Sequence, residues 1–225
     1  MARCRVGIIG VGYVGGALRH WFEKNPDRFE LYLYDKHKNL GSPEEANQAD
    51  VVFVATPTPF HFEENRYDDS AVVDALNNIR DGKVVVIKSS VIPGSTEKFQ
   101  KQYPGKVILF NPEFLTAKRA VEDFLNPKRQ IVGYADDSYK RKAEEILELL
   151  PDAPYKKIMH STEAEMIKFF GNTYLATRVI FANQIYDVCE KLGISYDNVR
   201  EGVSYDTRIG GSHLDVLCDK YRGYG

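Results

Sequence analysis

Apolar residues fall into short runs separated by longer amphipathic, charged stretches. Val6 to Ile9, Phe29 to Tyr34, Val51 to Ala55, Lys83 to Ile87, Lys106 to Phe110 and Gln130 to Tyr134 are the predicted strands. Most place apolar side chains at consecutive positions, as strands covered on both faces of a parallel sheet require. Between them, Ala17-Leu18 onward, Asp69 to Arg80, Glu97 to Tyr103 and Lys140 to Leu150 read as helices, and Glu44 to Asn47 as a single turn. Pro151 stops the last of these. Strands alternating with helices predict an α/β fold built on a doubly wound parallel sheet.

Beyond Met159 the pattern changes. Thr162-Glu163-Ala164-Glu165 has the spacing of a capping box, and only Gly171 interrupts the stretch before Gly193. The pattern predicts a helix of about thirty residues, roughly 45 Å long. Its apolar residues, among them Met166, Phe170, Tyr174, Ile180, Val188 and Leu192, cover more than one stripe. Such a helix should be buried on several sides, so it is expected to join domains and to form a homodimer through the stretch starting at Glu163. Asp197 to Val203 reads as a further short helix. The resulting organisation is a nucleotide-binding domain over 1–160, then a long helix and a small all-α region over 161–225.

Composition narrows the partners. With 30 basic and 32 acidic residues the net charge is −2, which recommends neither nucleic acid nor an anionic membrane. Cys4, Cys189 and Cys218 are odd in number and widely spaced, so a reduced, cytoplasmic setting is expected, with no disulfide framework and no metal site. Arg3 and Arg5 ahead of Val6 to Leu18 resemble a signal peptide, but the glycines there suit a strand and turn better. No other apolar run approaches the length that spans a bilayer.

The chemistry begins at Gly10-Val11-Gly12-Tyr13-Val14-Gly15, a G-x-G-x-x-G turn between strand and helix. Gly10 permits the tight turn, Gly12 lets backbone approach a pyrophosphate, and Gly15 lets the helix pack on the strand. The helix N-terminus offers free N–H groups to the phosphates. Asp35, closing the second strand, is placed to accept from a ribose 2′-OH and to repel a 2′-phosphate. The glycines alone could be a flexible turn. In the order strand, turn, helix, strand and acid they predict a dinucleotide site that prefers NAD to NADP.

Successive strands then stop at Thr56-Pro57-Thr58, at Ser89-Ser90 and at Glu113. In open α/β sheets the ligand lies outside the carboxyl ends of the strands, so these hydroxyls and one carboxylate converge on the cofactor edge. Turns use the same residue types everywhere; three at one edge favour a site. Lys168 and Asn172, at i and i+4, share a helix face amid apolar neighbours, and are expected to be a polar pair aimed at the cleft.

Assembled, these segments resemble the UDP-glucose/GDP-mannose dehydrogenase family. Gly10 to Gly15, Thr56-Pro57-Thr58-Pro59, Lys88-Ser89-Ser90-Val91-Ile92-Pro93-Gly94 and Asn111-Pro112-Glu113-Phe114-Leu115 carry the likeness, with Glu165 to Asn172, Asp206 to Gly210 and Arg222 to Gly225. The resemblance implies a Rossmann-like domain, NAD as cofactor, a nucleotide-sugar substrate, and oxidation of its 6-hydroxyl to a carboxylate through a cysteine-bound thiohemiacetal and thioester. By position, Lys168 and Asn172 would stabilise oxyanionic oxygen at C6. Ser90 would hold a water and Glu113 would act as general base. Phe114 and Leu115 would lie along the substrate, and Arg208 would reach a substrate, its own or that of a dimer partner.

Four departures stand out. Ala117-Lys118 replaces the usual Glu-Gly, Ser90 replaces Thr, and the connection from Asp35 to Val51 is short. The family's G-x-C-F-P-K-D nucleophile segment would begin after Gly225, and Cys218 comes too early to be that nucleophile. The 225-residue chain is therefore expected to bind NAD without turnover. A β-hydroxyacid dehydrogenase, with its own Lys-x-x-x-Asn pair, and a non-catalytic NAD-binding module are the competing readings.

Overall fold

The computed structural model describes residues 3–116, 119–218 and 221–222. Ala117, Lys118 and the closing Gly223-Tyr224-Gly225 lie outside the described residues, as do the side chains beyond Val216. The chain forms two compact units, Met1–Lys168 and Phe169–Gly225.

The first unit begins β1 (Cys4–Ile9), α1 (Tyr13–Glu23), β2 (Phe29–Tyr34), α2 (Pro43–Ala46) and β3 (Val51–Val54). A hairpin of β4 (Phe60–His61) and β5 (Arg66–Tyr67) precedes α3 (Ser70–Asn78), β6 (Val84–Ile87), α4 (Ser95–Gln102) and β7 (Val107–Phe110). There follow α5 (Ala120–Leu125), β8 (Arg129–Tyr134), α6 (Lys140–Leu149), β9 (Tyr155–His160) and α7 (Ser161–Leu192), which runs on into the second unit.

The sheet order is β2-β1-β3-β6-β7-β8-β9. The chain leaves β1 for β2 on one side and returns to β3 on the other, so the switch point lies between the ends of β1 and β3. Alternating strand residues feed two cores. Val6, Ile8, Phe53, Val86 and Leu109 pack with Leu18 and Phe22 of α1, Phe124 of α5 and Ile146 of α6. Ile9, Val54, Ile87 and Phe110 pack with Ala46 of α2, Leu76 of α3, Phe99 of α4 and Ala164 of α7. Helices on both faces explain the near-continuous apolar runs.

Three expectations are corrected here. The sheet is mostly parallel, not wholly so: β8 runs antiparallel to β7, with Leu109 opposite Tyr134 and Phe110 opposite Gly133. Apolar runs carry no information about direction. The sequence reading also leaves out β9, which pairs parallel with β8; its Tyr155, Lys156 and Lys157 are exposed, so no apolar run marks it. The capping box is displaced as well. The helix starts at Ser161, the Glu163 carboxylate accepts from the His160 N–H at 3.1 Å, and Thr162 donates to Glu97 at 2.7 Å. Glu165 turns inward to tertiary donors, accepting from the N–H groups of Gly94 at 2.6 Å and Thr96 at 2.8 Å and from the Thr96 hydroxyl at 2.5 Å.

In the second unit α7 continues into α8 (Tyr196–Ser204) and a hairpin of β10 (Leu217–Cys218) and β11 (Tyr221–Arg222), so this region is not all-α. Ala182, Cys189, Tyr196, Leu214 and Val216 form its core, and Tyr196 Oη donates to the Leu214 carbonyl at 2.8 Å. Phe170, Tyr174, Ile180, Phe181 and Leu192 of α7 are exposed, so this chain alone does not supply the burial that their pattern calls for. Among the described residues no helix is long and apolar enough to cross a membrane.

Candidate active site

The glycine turn is built as its spacing requires. Gly10 sits at φ +86°, and a Cβ there would lie 2.6 Å from the Ala55 carbonyl oxygen. At Gly15 a Cβ would fall 1.9 Å from the Gly10 oxygen, so only glycine lets α1 seat against the turn. Over Gly12 a Cβ would meet nothing within 4 Å, leaving open space where a pyrophosphate would pass. No side chain caps the start of α1, so its first N–H groups face that space.

This turn opens into a cavity of about 500 Å³ whose wall includes Tyr13, Val14, Asp35, Thr56, Pro57, Thr58, Ser89, Ser90 and Glu113. The predicted cofactor residues Gly10 and Gly12 also line it. Val11 and Gly15 stand behind, both buried. Several hydroxyls are already engaged across the β3–β6 boundary. Ser89 donates to the Thr56 carbonyl at 2.6 Å, and Thr58 donates to the Ser90 carbonyl at 2.7 Å.

Asp35 does more than face the cavity. One carboxylate oxygen accepts from the Val11 N–H at 2.8 Å; the other accepts from His37 and Lys38 N–H at 3.0 and 3.1 Å. Lys38 Nζ in turn donates to the Val11 carbonyl at 2.6 Å. The acid and the lysine thus hold the two ends of one residue in the glycine turn. The sequence reading misses Lys38, although a basic residue in the turn after such an acid is a visible signal.

At the ends of β6 and β7 lies a cluster of charged and aromatic side chains. Lys168 Nζ is 3.0 Å from Glu113 Oε2, and both side chains are largely buried. The other Glu113 oxygen accepts from the Leu115 N–H. Phe114 has Lys168 5.9 Å and Arg129 3.7 Å from its ring centroid. Leu115 packs against the core, half-buried. Asn172, one turn beyond Lys168 on α7, is exposed and belongs to the second unit, as does Arg208, which pairs with Asp206 at 2.6 Å.

Lys88, named in the sequence only as the first residue of the Lys88-to-Gly94 segment, has a place that the spacing does not reveal. It is 4% exposed, and its ammonium donates to Asn111 Oδ1 at 2.6 Å and the Asn111 carbonyl at 3.3 Å. Burial pushes its pKa down to about 7; Glu113 favours the ammonium and Lys168 opposes it. Below pH 7 both the folded and the unfolded chain carry this proton, and the full cost of a buried charge is felt. Between about 7 and the usual lysine value of 10.5 the unfolded chain binds more protons, so stability rises with pH. Urea unfolding at pH 6 and pH 9 should therefore show wild type gaining on Lys88→Met by a few kcal/mol, at ~1.4 kcal/mol per pKa unit. Parallel pH dependence in the two proteins would contradict this.

Known proteins place the site in context. A model of the NAD binding domain of the UDP-glucose/GDP-mannose dehydrogenase family matches residues 36–150, and one of its central domain matches residues 162–218. The UDP-glucose 6-dehydrogenase of Streptococcus pneumoniae is 33% identical over 212 residues, covering 88% of this chain and 54% of that protein. That of Campylobacter jejuni is 32% identical, covering 92% of this chain and 61% of that protein. Among solved structures, a UDP-glucose dehydrogenase from Pyrobaculum islandicum superposes with a TM-score of 0.80 at 27% identity, covering 95% of this chain and 59% of that one. The chain thus spans roughly half to three-fifths of the length of these relatives.

Proposed function

The chain belongs to the UDP-glucose/GDP-mannose dehydrogenase family, and from that premise we propose that residues 1–225 are the NAD-binding and substrate-polarising part of a nucleotide-sugar 6-dehydrogenase. The observation that carries the reading is the Lys168–Glu113 pair, 3.0 Å apart beside the cavity that the glycine turn opens. NAD, the family's cofactor, supplies the hydride acceptor when bound. Gly10, Gly12 and the start of α1 would hold its pyrophosphate. Asp35 keeps one acceptor direction free for a ribose hydroxyl, and its charge disfavours a 2′-phosphate.

Lys168, with Asn172, stabilises developing negative charge on the C6 oxygen. Ser90 holds a water, and Glu113, fixed by the Leu115 N–H and by Lys168, accepts its proton. Phe114 and Leu115 flank the sugar, and Arg208 serves a substrate in a homodimer formed over the exposed apolar face of α7. The cytoplasm suits the free thiols of Cys4 and Cys189. Neither thiol supplies the covalent step: Cys4 sits at the amino end of β1, away from the ligand edge, and Cys189 is buried in the core of the second unit.

Calorimetry should show NAD binding at least about tenfold tighter than NADP, the worth of ~1.4 kcal/mol of charge repulsion. Incubating the 225-residue polypeptide with NAD and UDP-glucose or GDP-mannose should yield no uronate. Extending it with the remaining family segment should release two NADH per sugar. Equal NADP affinity would remove the role given to Asp35, and steady uronate from residues 1–225 would overturn the reading. Oxidation of 3-hydroxyisobutyrate would favour the β-hydroxyacid alternative.

A further inference from the structure

Because β8 runs antiparallel to β7, its first residue, not its last, reaches the edge where the parallel strands end. That residue is Arg129. Its guanidinium stacks on Phe114 at 3.7 Å from the ring centroid, and among the described residues no carboxylate pairs with it. Stacking holds the planar fork in place with its N–H edges free, the form in which arginine recognises phosphate. Partial burial lowers its pKa, yet arginine stays charged.

Arg129 borders a second cavity of about 620 Å³, whose wall also includes Lys88, Glu113 and Phe114. Lys88 and Glu113 border both cavities, so the two meet at that charged cluster. Around Phe114 and Glu113 stand the cations Lys88, Lys168 and Arg129 against the single carboxylate of Glu113. Lys88, with its pKa pushed down to about 7, is only partly charged at neutral pH, and Lys168 pairs with Glu113, so Arg129 is the cation here that no carboxylate among the described residues balances. The other arginine on this wall, Arg119, is held by both Glu122 and Asp123, and the extra carboxylate there is matched in number by Lys128. Uncompensated positive charge in a partly enclosed space calls for an anion.

We propose that Arg129 is a substrate-binding residue that takes a phosphate group of the nucleotide sugar. This rests on Lys168 and Glu113 holding the C6 end, with the ring of Phe114 separating the two subsites. Glu113 and Lys168 then act on the reacting carbon while Arg129 holds the charged end. No bond changes at Arg129; its part is orientation and affinity.

The test uses inorganic pyrophosphate on the 225-residue polypeptide with NAD present, following the Arg129 Nε–H signal by NMR. Saturable movement of that signal is expected. Arg129→Met, which keeps an apolar stem on Phe114, should weaken pyrophosphate by roughly tenfold or more, the worth of one charge-assisted hydrogen-bond set. Arg129→Lys should recover part of the affinity, and both variants should keep the wild-type thermal midpoint and NAD affinity. A signal that does not respond, or equal pyrophosphate affinity in Arg129→Met, would overturn the proposal. UDP-glucose and GDP-mannose are then run as competitors. If pyrophosphate saturates the site but neither sugar nucleotide displaces it, the substrate reading fails while the phosphate site stands.

Discussion

Replacing Gly12 with valine should abolish NAD binding and leave the fold intact. The residue has a negative φ of −79°, and an added Cβ meets nothing within 4 Å. The space it would fill is the one the pyrophosphate needs. In wild type, NAD at a hundred times its Kd should raise stability by about 2.7 kcal/mol. In the variant that thermal upshift should vanish while the midpoint without NAD stays put. Gly15→Ala is the contrasting control: its Cβ would strike the Gly10 oxygen at 1.9 Å, so the midpoint should fall even without cofactor. An undiminished NAD shift in Gly12→Val would show that the cofactor does not cross this turn.

Glu165→Ala should be the most damaging single change to stability outside the glycine turn. The carboxylate is fully buried and accepts from Gly94 N–H, Thr96 N–H and the Thr96 hydroxyl, which have no other acceptor among the described residues. It ties the first turn of α7 to the start of α4, whose N-cap Gly94 is held at φ +94°. Burial raises its pKa, with the hydrogen bonds from Thr96 and Gly94 opposing that shift only in part. Truncation strands those donors, and each buried unsatisfied donor costs ~1–3 kcal/mol. Urea unfolding should record a loss of about 3 kcal/mol or more, with Glu165→Gln recovering a portion by keeping one acceptor oxygen. A loss under ~1 kcal/mol would show that water replaces the carboxylate there.

What was legible in the sequence was short-range. Strand, glycine turn, helix and acid are neighbours along the chain, so their spacing carries their geometry, and Gly10, Gly15 and Asp35 stand where that spacing puts them. Direction and partner choice are long-range and left no local trace. The apolar run Ile131 to Tyr134 reads the same for either direction of β8, so nothing in it marks Arg129, at the start of the strand, as lying on the ligand edge. Glu165 has capping-box spacing, but three donors on α4 and the loop before it outcompete one orphan N–H of its own helix. Lys88 closes an apolar run, where a lysine reads as the first polar residue after a strand. Only the fold reveals that it is buried against Asn111.

The reversal at β8 also divides the sheet mechanically. From β2 to β7 each neighbouring pair of strands shares at least four register positions, whereas β7 and β8 share two. Beyond that seam β8 and β9 share six. The Asn111 side chain, donating to the Ile131 carbonyl at 2.7 Å, is a rivet where the backbone ladder has run out. Backbone pairing is therefore graded, tight within each block and thin between them, and sub-global opening should follow the thin line. Since α7 leaves β9 without a connecting loop, Lys168 belongs by chain to the β8–β9 block and Glu113 to the other, and Glu165 is the clamp that fastens α7 back to α4 across that line. The charge pair at the centre of the site thus straddles the weakest seam in the sheet.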